Sequence, residues 1–531
     1  MSQASALRQL PLRAPHTAWS ALAAPSDLCV WLAGLAVVLQ LTVSSNVLLM
    51  LHIPYNTDGG NPLIKFHPST YLAMLALALR LCGSGRPMRT FEQLTLLFPR
   101  VMIFLLMMIL CMLWMIVNVG VSGVAVYVES YFSAGVLFLA IADASERQRR
   151  MLGWVMMWLF LFNAVVGTVE TVLHRTLTPF YLGTKPYHMI DSEFRGLALY
   201  NHPLSGSMMT EMAVLLLAQM RLSPRLTLVI GGPLMLGLVS FGGRTALLVT
   251  MLTILLIGGV YMVRGVADRT IKPMVILGAI LAVVVTAVLL WFIVTQTAIG
   301  ERLAGKLSFN DNSAETRNFQ WLILGQLNVN QMLFGITQDQ EVAYIYQIGL
   351  VYPFHIIENF WLLGFIYLGG IGFLLYLFGF FSFLMDIWRF APMFGRAIMV
   401  TTVLVASTSN SLGQKSNILF VMTAAVVAST GFARTQLART RGGQRPEAPV
   451  LASRPVLQDG DGAMRALVRR APPDAAAATA FAPPPDAPPS PGAGRGAGWG
   501  SARGGALGGL LRDPTPPDRA LRPLRPTSPR L

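Results

Sequence analysis

Three cysteines in a chain of 531 residues exclude a disulfide framework. Cys29, Cys82 and Cys111 all fall in or beside apolar runs, so free thiols are expected. Charge is scarce as well. Only 12% of the residues are charged, well below an ordinary soluble domain. No cysteine-rich or histidine-rich stretch has the spacing of a zinc site, and no cofactor motif is present. The formal charge of +15 does not describe a nucleic-acid surface. Much of it sits in short loops and in the C-terminal tail, and no nucleic-acid partner is expected.

What the chain has in quantity is apolar surface, at 54% hydrophobic residues. Runs of about 20 apolar residues recur from residue 29 to about residue 433, the signature of an all-α polytopic integral membrane protein. Twelve spans are expected: 29–51, 69–82, 101–119, 122–142, 151–173, 203–220, 226–241, 245–263, 274–297, 356–384, 397–412 and 416–433. The first run is long and ends in no small-residue cleavage pattern, so it reads as a retained span. Residues 1–28 form an N-terminal segment, 29–433 the transmembrane domain and 434–531 a tail. The tail is rich in Pro, Ala, Gly and Arg without aliphatic periodicity, the composition of a disordered segment.

Lysine and arginine bias sets the expected orientation. The loops with Arg86, Arg89 and Arg100, with Arg147, Arg149 and Arg150, with Arg221 and Arg225, with Arg264, Arg269 and Lys272, and with Arg389 and Arg396 are short and basic. They belong in the cytoplasm, and both termini with them. The loops 52–68, 173–202, 242–244, 298–354 and 413–415 then face outward. The largest, 298–354, precedes a late span, and its residues 315–327 have the spacing of a short amphipathic helix at the membrane face.

Positive charges that break this bias draw notice. Arg195 lies in DSEFRGLALYNHPLSG, Arg244 in SFGGRTALL, and Arg302, Lys306 and Arg317 in the large loop. The arginine fork suits phosphate and carboxylate oxygens. The bland alternatives are a snorkelling Arg244, a salt bridge from Arg195 to Asp191 or Glu193, and ordinary loop charges for the rest. In VYPFHIIENFWLLGFIYLGGIG, residues 351–372, His355, Glu358 and Asn359 stand at i, i+3 and i+4 and would share one helix face. They read as a base aimed at an incoming hydroxyl, or as an interfacial histidine beside a salt-bridged glutamate. Asn359, His202 and Lys415, with Asn201, Asn410 and Asn417, fall near outward span ends, where they could line a cavity. Glu129, Glu170 and Glu211 lie within or at the ends of spans, as functional groups or as interhelical hydrogen-bonding groups.

Three of these stretches resemble the O-antigen ligase and polymerase superfamily of bacterial envelope enzymes. RGLALYNHP is similar to the family's arginine between a long outward loop and a small-residue span. SFGGRTALL resembles its Ser/Gly–Arg–Thr/Gly–Ala–Leu turn. In the third stretch Asn359 is followed by Leu362, Gly369 and Gly372 in the family's register. The family's histidine just before that asparagine is Glu358 here, with His355 one turn earlier. The resemblance covers roughly residues 29–433, and NPLIKFHPSTYLAML is similar to exopolysaccharide-polymerase members. It implies a GT-C-like glycosyltransferase architecture and a metal-independent inverting transfer at the outer face of the bacterial inner membrane. The implied donor is a glycan on undecaprenyl pyrophosphate. Arg195 and Arg244, helped by Arg317, would bind the pyrophosphate, and Glu358 or His355 would take the acceptor proton. Polymerisation of repeat units is favoured over ligase-type transfer to another acceptor, and a chain-length regulator or export complex is an implied partner. A lipid-linked sugar flippase and a membrane scaffold are the rival classes.

Overall fold

The computed structural model describes residues 26–53, 55, 62–118, 120–178, 181–182, 185–186, 194–268, 320–348, 357–413 and 415–442. All lie in the first of two compact units, which ends at Ala452. The expected span 274–297, Arg302, Lys306, Arg317 and His355, and most of the tail fall outside the described residues.

Helices dominate. In chain order they are α1 (Asp27–Thr42), α2 (Ser45–Met50), α3 (Pro68–Gly83), α4 (Pro87–Leu97), α5 (Pro99–Asn118), α6 (Val124–Ile141), α7 (Glu146–Leu173), α8 (Pro203–Met220), α9 (Pro224–Ser240), α10 (Arg244–Ala267), α11 (Val329–Phe334), α12 (Gln338–Gln347), α13 (Phe360–Phe390), α14 (Met393–Ser407) and α15 (Ile418–Gly442). One two-residue antiparallel pair, Tyr181–Leu182 with Lys185–Pro186, lies between α7 and α8. Among the described residues α5, α6, α7, α10 and α13 are long and apolar enough to cross a bilayer, and α1, α3, α9, α14 and the first part of α15 are shorter apolar helices.

Their apolar residues do not all turn inward. α10 exposes Leu248 at 69% and Leu256 at 61%, and α5 exposes Val117 at 82%. A belt of that kind needs a lipid solvent. α8 is the opposite case: from Ser205 to Met220 all but Ala218 are buried. A helix apolar all round belongs at the centre, and α8 packs against α7, α9, α10, α14 and α15.

Hydrogen bonds at the helix ends show that the described long helices alternate in direction from α1 to α10 and again from α13 to α15. At one end, the Arg80 guanidinium at the close of α3 pairs with Asp143 (2.6 Å) and donates to the Leu139 carbonyl of α6. There Gln148 of α7 reaches Asp27 of α1 (2.7 Å), and Arg149 reaches Thr430 of α15 (2.9 Å). Asp386 of α13 accepts from the backbone of Arg100 (3.0 Å) and Val101 (3.2 Å), satisfying free N–H groups at the start of α5. This is the basic end. The opposite, polar end joins the close of α1, α7, α9 and α14 to the start of α3, α6, α8, α10, α13 and α15.

The structure departs from the sequence expectation in four places. The run 29–51 breaks at Val43–Ser44, where α1 stops and α2 begins. The basic loop after α3 contains a helix, α4. The described part of the expected 315–327 helix is a tight 3-10 turn, Trp321–Gln326, followed by α11 and α12. Finally, Glu358 and Asn359 do not lie on a helical turn: α13 begins at Phe360.

α13 is also interrupted. Gly369 has φ +64°, a left-handed value. An added Cβ there would overlap the carbonyl of Leu333. Two carbonyls near the break find new donors: Ile366 receives the Ile336 N–H (2.9 Å) and Leu368 the indole N–H of Trp114 (2.8 Å). From Gly369 to Phe390 the helix rises about 31 Å, close to the roughly 30 Å of a hydrocarbon core. The break thus stands near the level where a bilayer would end.

Candidate functional site

The polar end is built around a short segment that carries Arg195. Residues 194–202 connect to α8, and three side chains from elsewhere hold their backbone. Glu170, near the close of α7, accepts from the N–H groups of Leu197 (2.6 Å), Ala198 (2.7 Å) and Leu177. Asn163, two turns earlier on α7, accepts from Leu199 (3.0 Å). Asn46 donates to the carbonyls of Tyr200 (3.4 Å) and Asn201 (3.3 Å). The Gly196 N–H reaches the carbonyl of Ser240 at the end of α9 (3.2 Å).

That last bond ties the segment to the turn that carries Arg244. Phe241 of the turn meets the Tyr200 ring edge to face at 5.7 Å. Gly242 has φ +70°, and a Cβ on it would come 3.1 Å from Cδ of Arg195. The Arg195 side chain therefore lies across the turn. Gly243 leaves no room beyond Ser207 of α8. Arg244 follows as the first residue of α10 and is exposed, while Arg195 is half-buried. The structure thus brings together two arginines that are 49 positions apart in sequence. The Arg195 side chain against a turn that opens a helix with Arg244 is a setting for an anionic ligand.

Glu358 and Asn359 stand at the start of another helix of the same end. The Asn359 side chain accepts from the N–H of Trp361 (2.9 Å) and of Leu362 (3.2 Å), so it caps α13. Glu358 is half-buried, and its N–H donates to Gln320 (3.0 Å). The Phe360 N–H reaches Ser409 (3.2 Å), and the Trp361 indole reaches Ser407 (2.9 Å), which fixes this start to the close of α14. α14 packs against both α10 and α13. The helix that begins with Arg244 and the helix that Asn359 caps therefore flank a common neighbour.

His202 caps α8, its Nδ1 accepting from Leu204 (3.1 Å). Lys415 is engaged in a different network. Its Nζ donates to the carbonyls of Tyr55 (3.0 Å) and Lys65 (3.2 Å) and sits 4.3 Å above the Tyr55 ring. The Tyr55 hydroxyl and the His67 N–H both donate to Glu129, in a π-helical turn of α6. Ser416 donates to Ser130 (2.9 Å), and Asn417 to Gln40 (3.0 Å). Lys415 is thus a strap between the connection that precedes α3 and the connection that precedes α15. Burial pushes its pKa down, with Glu129 pulling against that, and burial also lowers that of His67.

A cleft lies between α6 and α13, bounded by Tyr127, Tyr131, Tyr367, Tyr376 and Gly413, with about 300 Å³ of void counting its open mouth. Behind it Glu341 of α12 accepts from the Tyr367 hydroxyl, and burial raises its pKa. Sequence reasoning passed over Glu341, Asn46 and Asn163. Asn163 is a lone polar residue in an apolar run, Asn46 follows two serines and Glu341 follows Gln338, Asp339 and Gln340, and none of these settings sets the residue apart from its neighbours. Among the described residues no three of His, Cys, Asp and Glu group together as a metal site. No protein-family model matches the chain, and no curated protein matches it.

Proposed function

We propose that the protein is a glycosyltransferase that polymerises oligosaccharide repeat units carried on undecaprenyl pyrophosphate. The observation that carries this reading is the junction of Arg195 with the Arg244 turn at one end of the bundle. In this reading the chain crosses the bacterial inner membrane twelve times in a GT-C-like arrangement. The basic end faces the cytoplasm with both termini, following the positive-inside bias, and the polar end faces outward.

Arg195 and Arg244 hold the diphosphate of the donor and stabilise the charge it gains as it leaves. The acceptor hydroxyl oxygen forms a bond to the anomeric carbon from the opposite face. The bond from that carbon to the diphosphate oxygen breaks, and the oxygen departs with the electron pair. The hydroxyl proton passes to Glu358 or His355. Ligase-type transfer to a different acceptor uses the same steps. One observation favours a rival reading, a carrier of lipid-linked sugar: Glu211 lies in the middle of the central helix, where transporters place ionisable groups.

The test is glycan output in a strain lacking the gene and complemented with wild type, Arg195→Ala, Arg244→Ala or Glu358→Gln, at matched membrane levels. Loss of an arginine is expected to cost on the order of a hundredfold in rate. Single lipid-linked units should then accumulate on the outer leaflet with no long polymer. Accumulation on the inner leaflet would identify the carrier instead, and normal polymer from all three variants would overturn the enzyme reading.

A further inference from the structure

Glu211 takes no part in the site described above. It sits at the middle of α8 with no exposed surface. Neither carboxyl oxygen has a hydrogen-bond partner. The Thr401 hydroxyl of α14 lies within reach of the carboxyl; it has one proton, which it can place there or on the carbonyl of Ile398 (3.3 Å). Next to Thr401, the buried hydroxyl of Thr402 also lacks a partner.

Among the described residues, the helices packed against α8 bring no counter-charge to this level. Their charged groups sit near their ends: the 146–150 cluster and Glu170 on α7, Arg225 on α9, Arg244 and Arg264 on α10, and Arg396 on α14. The described side chains of α15 include none. Glu170 is already engaged by three backbone N–H groups. A structural glutamate would show the interhelical hydrogen bond that justifies its place. This one has at most the single Thr401 hydroxyl, and a carboxylate with so little around it is not sustainable in such surroundings. The carboxyl needs a cation on it. One negative charge with a few oxygen donors matches a monovalent ion, whereas calcium or magnesium demands about six or more oxygens.

We propose that Glu211 is an intramembrane binding site for a small monovalent cation, a proton or a sodium ion, between α8 and α14. Its position gives that occupancy a target. Ser207 lies one helical turn away on the same face of α8, and Ser207 is the residue that packs on Gly243 of the Arg244 turn. The ion therefore sets the charge one helical turn from the contact between α8 and the Arg244 turn. This inference does not depend on the glycosyl transfer proposed above.

The experiment uses the full-length protein in liposomes and dicyclohexylcarbodiimide, which reacts with the acid form of carboxyls in apolar surroundings. Adducts are located by mass spectrometry, with Glu211→Gln as the control that must lose them. For a proton site, labelling of Glu211 is expected to fall severalfold between about pH 5 and about pH 9, whatever the salt. For a sodium site, sodium chloride is expected to suppress labelling relative to choline chloride at equal ionic strength and fixed pH. Absence of the Glu211 adduct at every pH overturns the proposal. So does labelling that responds to neither pH nor sodium. Glycan output is not read in any arm, so failure here leaves the reading of the arginine site untouched.

Discussion

At the scale of single residues, the carboxylates carry the argument. Glu170 works as a clamp: its oxygens collect three backbone N–H groups of the segments around Arg195. Hydrogen bonds to a charged acceptor are worth about 1.5–3 kcal/mol each, and orphaned buried donors cost a similar amount. Glu170→Ala should therefore destabilise the protein by about 3 kcal/mol and, under the proposed glycosyl transfer, lower glycan output as Arg195→Ala is expected to. A variant with wild-type melting and output would show that the clamp is dispensable. His67 makes a pH prediction. Burial lowers its pKa below the ordinary 6.5, so the unfolded chain takes up a proton at a higher pH than the folded one. The stability that neutral His67 contributes is complete above pH 6.5 and is lost as the pH falls toward the folded value. Asp143 and Glu341, whose pKa values burial raises, act in the opposite sense. Melting of wild type and His67→Asn at about pH 7.5 and about pH 5 isolates the histidine. Its replacement should shrink the acid-induced loss. In the sequence, Glu129, Glu170 and Glu211 look alike, each an acidic residue within or at the end of an apolar run. The structure gives the first a tyrosine and a backbone N–H, the second three N–H groups and the third no more than the Thr401 hydroxyl. The distinguishing partners of Glu129 lie 62 and 74 positions away, beyond the reach of any local spacing rule.

At the scale of elements, α13 shows what sequence pattern conveys and what it hides. The succession Asn359, Leu362, Gly369 and Gly372 was visible as a register, and each member has a mechanical task. Asn359 caps through the Leu362 N–H, Gly369 breaks the helix, and Gly372 makes room for Trp114. Gly369→Ala meets both a positive φ and an overlap with Leu333, so a loss of about 1–3 kcal/mol is expected in thermal melting. An unchanged melting temperature would mean that the break is not fixed by the glycine. The long apolar runs were legible because about 20 apolar residues in a row leave few alternatives. α4, α11 and α12 were not, because 6 to 11 residues hold too few turns for a helical period to stand out. The stop at Val43 falls where Ser44, Ser45 and Asn46 interrupt the apolar run, and a span of 29–51 reads through that short polar signal.

At the scale of the whole molecule, the two ends of the bundle differ in kind. One is tied by Arg80–Asp143 and the Asp386 cap, the other by the Arg195 junction and the Lys415 strap. In a cysteine-free background, single cysteines at Met88 on α4 and at Leu322 in the tight turn before α11 should react with a membrane-impermeant maleimide from opposite sides. The Leu322 site should react in intact cells, and the Met88 site only after the membrane is opened. Labelling of both from outside would overturn the alternating arrangement together with its orientation. The interruption at Gly369 has a mechanical consequence. A rigid rod of 31 residues would act as a lever: any tilt imposed by a bilayer of mismatched thickness would swing its far tip, and Glu358 with it. Because the rod is cut near the bilayer boundary and the upper piece is moored to Ile336 and Ser409, the lower piece absorbs the mismatch alone. Under the proposed glycosyl transfer, the wild-type rate should accordingly hold steady across lipids of differing acyl-chain length.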